Sequence, residues 1–479
     1  MPTTATETTA GKETVEGAGI TIQDPRTGEV LWTVPQAGPD AVNDAVDVAR
    51  RAAPGWAATA PAERGAALRA AAKALDAAGR ELAGLNASET GRPEEEALAG
   101  IAAAVSTLEQ YAELGPVHRG HSLRGSRLAS DYTIAEPRGV AVLLTPWNDP
   151  VAVACGMIGA ALVTGNAVIH KPSERCPRLG EALGEVLAPA FPAGVFLTLS
   201  GGAGVGEALS RADVDVLAHV GSSASGARIA EAGARTGAHV IRENGGNDPL
   251  VVDRDVDPAW AAEQAAIGAF SNSGQICTAV ERIYVHQDIA EAFCSALEAE
   301  AALRNSNGSV APLVDLRMRD AVHGHVAEAL DRGARAVEGG ALPDGPGSFY
   351  PATVLVGCTE GMQVMAEETF GPVAPVQVVD TFDDGLRLAC SGRYGLAATV
   401  LSSNLAHIQQ AVAALPVGTV KVNAVFGGAP GGAAQPRGES GAGFGYGPEL
   451  LDEFTQVKVV HIEAPPAYAR AGRAEVDQP

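Results

Sequence analysis

From about residue 131 the chain alternates short β-rich runs with helical stretches, and this alternation constrains its fold more than any other feature. The runs are GVAVLLTP, NAVIHKP, GVFLTLSG, VLAHVGS and HVIREN. Such a texture means βαβ crossovers and a parallel sheet covered by helices on both faces. A second series begins near residue 250 with DPLVVD and continues through RIYVHQ, ATVLVG, PVAPVQVVD, AATVLSS and GTVKVNA. At 479 residues the chain is too long for one ordinary core, so two or three domains are expected. Upstream, ITIQDPRTGEVLWTVP reads as a hairpin, and Ala-rich amphipathic helices fill about 39 to 110. Residues 1 to 17 are Thr/Glu/Gly-rich and are expected to be disordered. A Gly-rich loop covers about 426 to 446, and TQVKVVHIE forms a late strand.

Lys and Arg number 34 against 57 Asp and Glu, a net charge of −23. So acidic a surface repels nucleic acid and anionic lipid, and neither is an expected partner. The N-terminus has no apolar core of a secretory signal, and the most apolar stretch, residues 151–170, is broken by Thr164, Gly165 and Asn166. A buried helix, turn and strand are expected there rather than a membrane span, and the expected compartment is the cytoplasm. The six cysteines form no CxxC pair and the histidines show no metal spacing, so no metal site is expected.

Several short segments could carry chemistry, and each has a plain structural alternative. FLTLSGGAGVGEAL (196–209) and HVGSSASGARIA (219–230) are strand–turn–helix units that could approach a phosphate, yet neither fits GxGxxG, and a tight turn explains each as well. Asn148 in TPWNDP could donate to a developing oxyanion or be an ordinary turn residue. Glu243 in IRENGGND could be a general base or a solvated charge, and MAEETFGPV presents Glu368 and Phe370 on a loop. Cys277 in FSNSGQICTAVER could be a filler, a ligand, half of a disulfide or a nucleophile; a charged pair follows it.

Taken together, PWN, HKPSE, GGAGVG, VGSSASG, ENGG, NSGQICT, EETFGP and SGAGFG occur in an order that resembles the NAD(P)-dependent aldehyde dehydrogenases, from about residue 20 to 463. The resemblance implies the α/β fold of that family. Its expected parts are a doubly wound NAD-binding domain (18–118, 139–245 and 440–456), an α/β catalytic domain (246–439) and a small β oligomerisation arm (119–138 with 457–466). A C-terminal tail (467–479) would follow. It implies Cys277 as the nucleophile, Asn148 with the Cys277 N–H as oxyanion donors, and Glu243 as the base that activates water. It also implies NAD as cofactor, with NADP possible. Lys171 and Glu174 would hold the adenosine ribose, Ser222 and Trp147 border the diphosphate, Gly202 and Gly245 permit close approach, and Glu368 and Phe370 meet the nicotinamide ribose. A carboxylate at 174 repels a 2′-phosphate. A homodimer or homotetramer is implied, as is the bland, buried role for the other five cysteines.

The substrate tunnel implied by the resemblance contains Asp149, Gly156, Ile276 and Thr278. Asp149 and Gly156 replace frequent aromatics. Asp149 is expected either to repel anionic aldehydes or to cap the helix begun at Pro150, and Gly156 to widen the tunnel. Ile276 stands where phosphonoacetaldehyde-oxidising relatives carry Arg, so no anionic substrate is assigned. Asn244 and Glu439 also depart from the pattern. CoA-acylating oxidation and a non-catalytic NAD-binding relative are the rival functions within the family; the presence of Glu243 favours water over CoA as acceptor. A cysteine hydrolase would leave KPSE and EETFGP unexplained.

Overall fold

The computed structural model describes residues 19–427, 435–463 and 465. The expected disorder of 1–17 and the tail at 467–479 lie outside the described residues. The chain opens with an antiparallel hairpin, β1 (Ile20–Gln23) and β2 (Val30–Val34), followed by four helices. These are α1 (Pro39–Ala58), α2 (Pro61–Ala77), α3 (Gly79–Thr90) and α4 (Glu94–Leu114). Two strands, β3 (Ser122–Leu123) and β4 (Ala129–Pro137), lead into the first α/β series.

That series runs β5 (Val140–Leu144), α5 (Pro150–Val163), β6 (Ala167–Lys171), α6 (Pro177–Leu187) and β7 (Phe196–Thr198). It continues with α7 (Ala203–Arg211), β8 (Val216–Gly221), α8 (Ser223–Thr236) and β9 (His239–Asn244). Strands β5 and β6 are buried at every position, as their unbroken apolar runs require in a sheet covered on both faces. One apolar cluster packs α2 to α6 on one side of the sheet; another packs α1 and α7 on the other.

The second series comprises β10 (Asp248–Val252), α9 (Pro258–Phe270), β11 (Val280–His286), α10 (Ala290–Asn307) and α11 (Leu316–Asp331). Next come β12 (Arg335–Glu338), β13 (Thr353–Val356), α12 (Gln363–Ala366), β14 (Val373–Val379) and α13 (Phe382–Ala389). After the short β15 (Tyr394–Gly395) follow β16 (Ala397–Leu401), α14 (Leu405–Ala414) and β17 (Thr419–Val422). The chain then returns to the first sheet through β18 (Arg437–Gly438) and β19 (Gly441–Ala442), and ends in α15 (Leu450–Glu453) and β20 (Thr455–Glu463).

The first sheet has the order β19-β9-β8-β5-β6-β7, and only the β19–β9 pairing is antiparallel. The second has the order β12-β13-β14-β11-β10-β16-β17, with β12–β13 its antiparallel edge. β20, β4 and β3 form a separate antiparallel sheet in register from Thr455 opposite Pro137 to Glu463 opposite Ala129.

The break at Thr164–Asn166 is a structural hinge pin. Fully buried Asn166 accepts from the Gly139 N–H at 2.8 Å and donates to the carbonyls of Phe454 at 2.9 Å and Ala161 at 3.2 Å. One amide therefore joins the end of α5, the start of β5 and the chain entering β20. Asn166→Ala leaves buried backbone groups unpaired and is expected to cost about 2–4 kcal/mol in urea unfolding, without altering the fold class.

Candidate active site

In the first sheet, connections move from β5 outward to β6 and β7, then return across to β8 and β9. The reversal opens a crevice at the carboxyl ends of β5 and β8, where open α/β sheets bind ligands. Trp147 and Asn148 follow β5, Lys171 ends β6, Ser222 follows β8, and Glu243 stands at the penultimate position of β9. Cys277 reaches this crevice from the loop between α9 and β11.

The small polar approach to Cys277 is a tight reversal. Asn272, Ser273 and Gly274 have φ of 46°, 53° and 73°, a left-handed run that Asn and Gly tolerate best. A Cβ on Gly274 would run into the Gly371 carbonyl, so glycine is required there. Side chains replace the missing regular bonds. Gln275 Nε2 donates to the Asn272 carbonyl at 3.1 Å and its Oε1 accepts from the Val314 N–H at 2.9 Å, while Ser273 Oγ donates to the Ala311 carbonyl at 2.6 Å. Asn148 Nδ2 donates to the Gln275 carbonyl at 3.1 Å, and Asn272 Nδ2 donates to the Asn148 carbonyl at 3.4 Å. The amide proposed from sequence as an oxyanion donor is thus tied to the cysteine loop.

The electrostatics centre on the thiol. Burial pushes the Cys277 thiol well above its ordinary range, and the carboxylates of Glu243, Asp248 and Glu368 push it further; the Lys421 ammonium opposes them. Burial also raises Glu243 to about 7. Its carboxylate lies where a Cβ on Gly445 would be. The thiol is thus held in its protonated form at rest, beside a carboxyl raised into the range of a general base at neutral pH.

Glu281, the first member of the charged pair after the cysteine, organises the facing loop. Its buried carboxylate accepts from the Phe370 N–H at 2.8 Å, the Thr369 N–H at 2.9 Å and Asn247 Nδ2 at 3.2 Å. These bonds hold Phe370 at φ 53°, a strained value for an aromatic residue. Asn247 Nδ2 donates as well to the Glu367 carbonyl at 2.9 Å, and Arg282 Nε donates to the Asn247 carbonyl at 2.8 Å. Between them stands Glu368, raised well above the usual carboxylate range by burial and then by Glu281 and Asp248. Its carboxylate fills the space a Cβ on Gly245 would need.

The remaining residues named from sequence lie along the same crevice. The Phe370 ring meets Trp147 edge-on at 5.6 Å, and the Arg175 guanidinium covers Trp147 at 5.1 Å while pairing with Asp315 at 3.0 Å. Ser222 caps α8 by accepting from the Ser225 N–H at 3.3 Å, and Gly202 precedes α7 with its N–H donated to Gln36 at 3.0 Å. Buried Lys171 donates to its neighbour's carbonyl, Pro172, at 2.6 Å rather than pairing directly with Glu174. Half-buried Glu174 lines a cavity of about 310 Å³ between the β1–β2 hairpin and residues 314–317. Two helix N-termini, an ammonium, a carboxylate and the side-chain-free Gly245 form a donor set that fits a dinucleotide.

Three expectations are corrected. Asp149 neither caps α5 nor presents a free charge: it makes no side-chain cap and pairs with Arg92 at 2.7 Å, which also donates to the Asn148 carbonyl at 3.1 Å. Gly156 does not widen a tunnel, because the Tyr446 ring lies 3.3 Å from where a Cβ would be and occupies the vacated volume. Of the five other cysteines, Cys155, Cys176 and Cys358 are buried, but Cys294 and Cys390 are partly exposed. Ile276 and Thr278 flank the nucleophile and are partly buried. The departures Asn244 and Glu439 belong together: Asn244 Nδ2 donates to the Glu439 carbonyl at 2.9 Å, and the Glu439 carboxylate pairs with Arg393 at 2.7 Å.

Glu281, Asp248, Arg92 and Lys421 were not singled out from sequence. Glu281 and Lys421 did carry a signal, each being a charge inside an otherwise β-rich run, VERIYVH and GTVKVNA. Among the described residues there is no cluster that could hold a metal ion, and no helix is long and apolar enough to cross a membrane.

The sequence model of the Aldehyde dehydrogenase family matches residues 13–460. The chain is 35% identical over 472 residues to the betaine aldehyde dehydrogenase of Cereibacter sphaeroides (strain KD131), covering 95% of each. Among solved structures it is similar to betaine aldehyde dehydrogenase from Staphylococcus aureus in complex with NAD+, with a TM-score of 0.90, 28% identity, and coverage of 93% of this chain and 92% of that one. It is also similar to an E. coli NADP-dependent enzyme, with a TM-score of 0.89, 32% identity, and coverage of 93% of this chain and 95% of that one. The fold of two covered sheets and the motifs lining their crevice therefore have one source: this chain belongs to the aldehyde dehydrogenase family.

Proposed function

We propose that this protein oxidises an aldehyde to a carboxylic acid with NAD and water, through a thioester on Cys277. The observation that carries the proposal is that Asn148 is tethered to the Gln275 carbonyl, two residues before Cys277, while Glu243, raised by burial to about 7, acts through space on the Cys277 thiol. Cys277 sulfur bonds to the aldehyde carbon as its proton leaves toward Glu243. Asn148 Nδ2 and the Cys277 N–H donate to the oxygen that gains charge. When bound, the nicotinamide supplies the acceptor for the hydride leaving that carbon. Once that first proton has passed to solvent, the Glu243 carboxylate takes a proton from water, whose oxygen bonds to the thioester carbon; the C–S bond breaks, the acid leaves and the sulfur recovers a proton from Glu243.

Lys171, Glu174, Ser222, Gly202, Trp147, Gly245, Glu368 and Phe370 would hold the cofactor. NAD-bound and NADP-dependent relatives both exist, and Glu174 favours NAD. In this reading the first sheet with its helices is the cofactor domain, the second is the catalytic domain, and the β20–β4–β3 sheet is the oligomerisation arm of a homo-oligomer. Exposure of Val457 (70%) and Val459 (68%) on β20 supports the last assignment. Free thiols throughout suit a reducing, cytoplasmic setting.

Cys277→Ala is expected to abolish NADH formation from aldehydes while NAD binding, read by calorimetry, persists; turnover in that variant ends the nucleophile assignment. Glu243→Gln is expected to release about one NADH per active site and then stall. In the wild type, deacylation should rise with pH through about 7, as the raised carboxyl loses its proton, and level off above it; a flat single-turnover profile from pH 6 to 8 would assign the base elsewhere. Glu174→Ala should raise kcat/KM for NADP relative to NAD, and a wild type that already prefers NADP contradicts the role given to Glu174.

A further inference from the structure

One ammonium stands among the carboxylates of the site. Lys421 is on β17, and its Nζ donates to the Val425 carbonyl at 2.7 Å and lies 3.5 Å from the carbonyl of Thr278, the residue after Cys277. It also sits 5.4 Å from the centre of the Phe426 ring. Both hydrogen-bond partners are neutral carbonyls, and among the described residues the lysine ion pair is Lys458–Glu136. An ammonium has three donors, and two of them are used among the described residues. Burial lowers the Lys421 ammonium from its ordinary value, and Asp248 and Cys277 oppose that shift through space.

Two features turn this cation toward specificity. A quaternary ammonium group is recognised by an open aromatic face. Here the Phe426 ring, reached by the same ammonium that lies 3.5 Å from the Thr278 carbonyl, already carries the protein's own cation. Burial moves the surrounding acids toward their neutral forms, with Glu243 raised to about 7, Asp248 to about 8 and Glu368 well above an ordinary carboxylate, while the nearby acid Asp248 and the thiol hold the Lys421 proton against its own desolvation. Asp149, the acid expected to repel anions, is neutralised by Arg92.

We propose that Lys421 is a specificity-determining residue that disfavours cationic aldehydes and binds an anionic group on the substrate, so that this site selects aldehydes carrying a carboxylate or similar anion over quaternary ammonium aldehydes. The proposal rests on the aldehyde-oxidising reading above. It separates this chain from the relatives that bear the name betaine aldehyde dehydrogenase.

The test compares kcat/KM at fixed pH and salt for two matched pairs. Betaine aldehyde and 3,3-dimethylbutanal differ in one atom, a cationic nitrogen against a neutral carbon; succinic semialdehyde and butanal differ by a carboxylate. The wild type is expected to favour 3,3-dimethylbutanal over betaine aldehyde, and succinic semialdehyde over butanal, each by roughly tenfold or more. Lys421→Met should shrink both ratios by roughly tenfold, chiefly through KM, and Lys421→Arg should retain them. The wild-type ratios need no variant, so a poorly folded Lys421→Met leaves the test decisive. Preference for betaine aldehyde in the wild type overturns the proposal. So does a Lys421→Met effect equal for all substrates, which would mark Lys421 as a support of the thiol alone. Absence of NADH from every aldehyde would instead overturn the proposed function, and this inference with it.

Discussion

The buried carboxylate of Glu281 is the bond on which the site's geometry depends. It lies on β11, a few residues after the nucleophile, and reaches across to the backbone of the loop before β14 and to Asn247 before β10. Three elements that meet at the amino-terminal edge of the second sheet are thereby joined at one acid. Burial raises this carboxyl to about 7, and two backbone N–H groups and an amide oppose the rise by donating to it. Without it nothing would offset the left-handed backbone at Phe370, and the Phe370–Trp147 contact between the two sheets would lose its fixed partner.

Burial, more than ion pairing, sets the chemistry of the crevice. Glu243, Asp248 and Cys277 are all moved toward their neutral forms by desolvation as the first cause. The resting site therefore stores a proton inventory rather than a set of fixed charges, and Lys421 is the counterweight. This explains how acids can crowd one thiol without a metal-like array of cations to balance them.

Much of this was legible in the sequence because it depends on local pattern. Unbroken apolar runs separated by helices specify covered parallel strands wherever they occur, and the hairpin turn at Asp24–Gly28 forms as its residues dictate. The cysteine, amide and glutamate motifs were legible through their order. What could not be read was which way a side chain turns once several segments converge. Asp149 follows a turn and precedes a helix, so a cap was a fair expectation, but Arg92, 57 positions upstream by number, offers a stronger partner. Gly156 suggests space, yet Tyr446 comes from the far end of the chain to take it. Glu281 and Lys421 carry roles that exist only after distant loops fold onto them.

The two glutamates at the crevice also leave an imprint on residues that make no bond. Gly245 has no side chain because the Glu368 carboxylate occupies its Cβ direction, and Gly445 has none because Glu243 does. Their freedom to vary is thus inherited from neighbours far away in sequence. A side chain at either position would have to push a glutamate out of its place, though neither glycine donates, accepts or titrates through a side chain. In this fold, the empty Cβ position at 245 or 445 is the outline of a carboxylate seen from the other side.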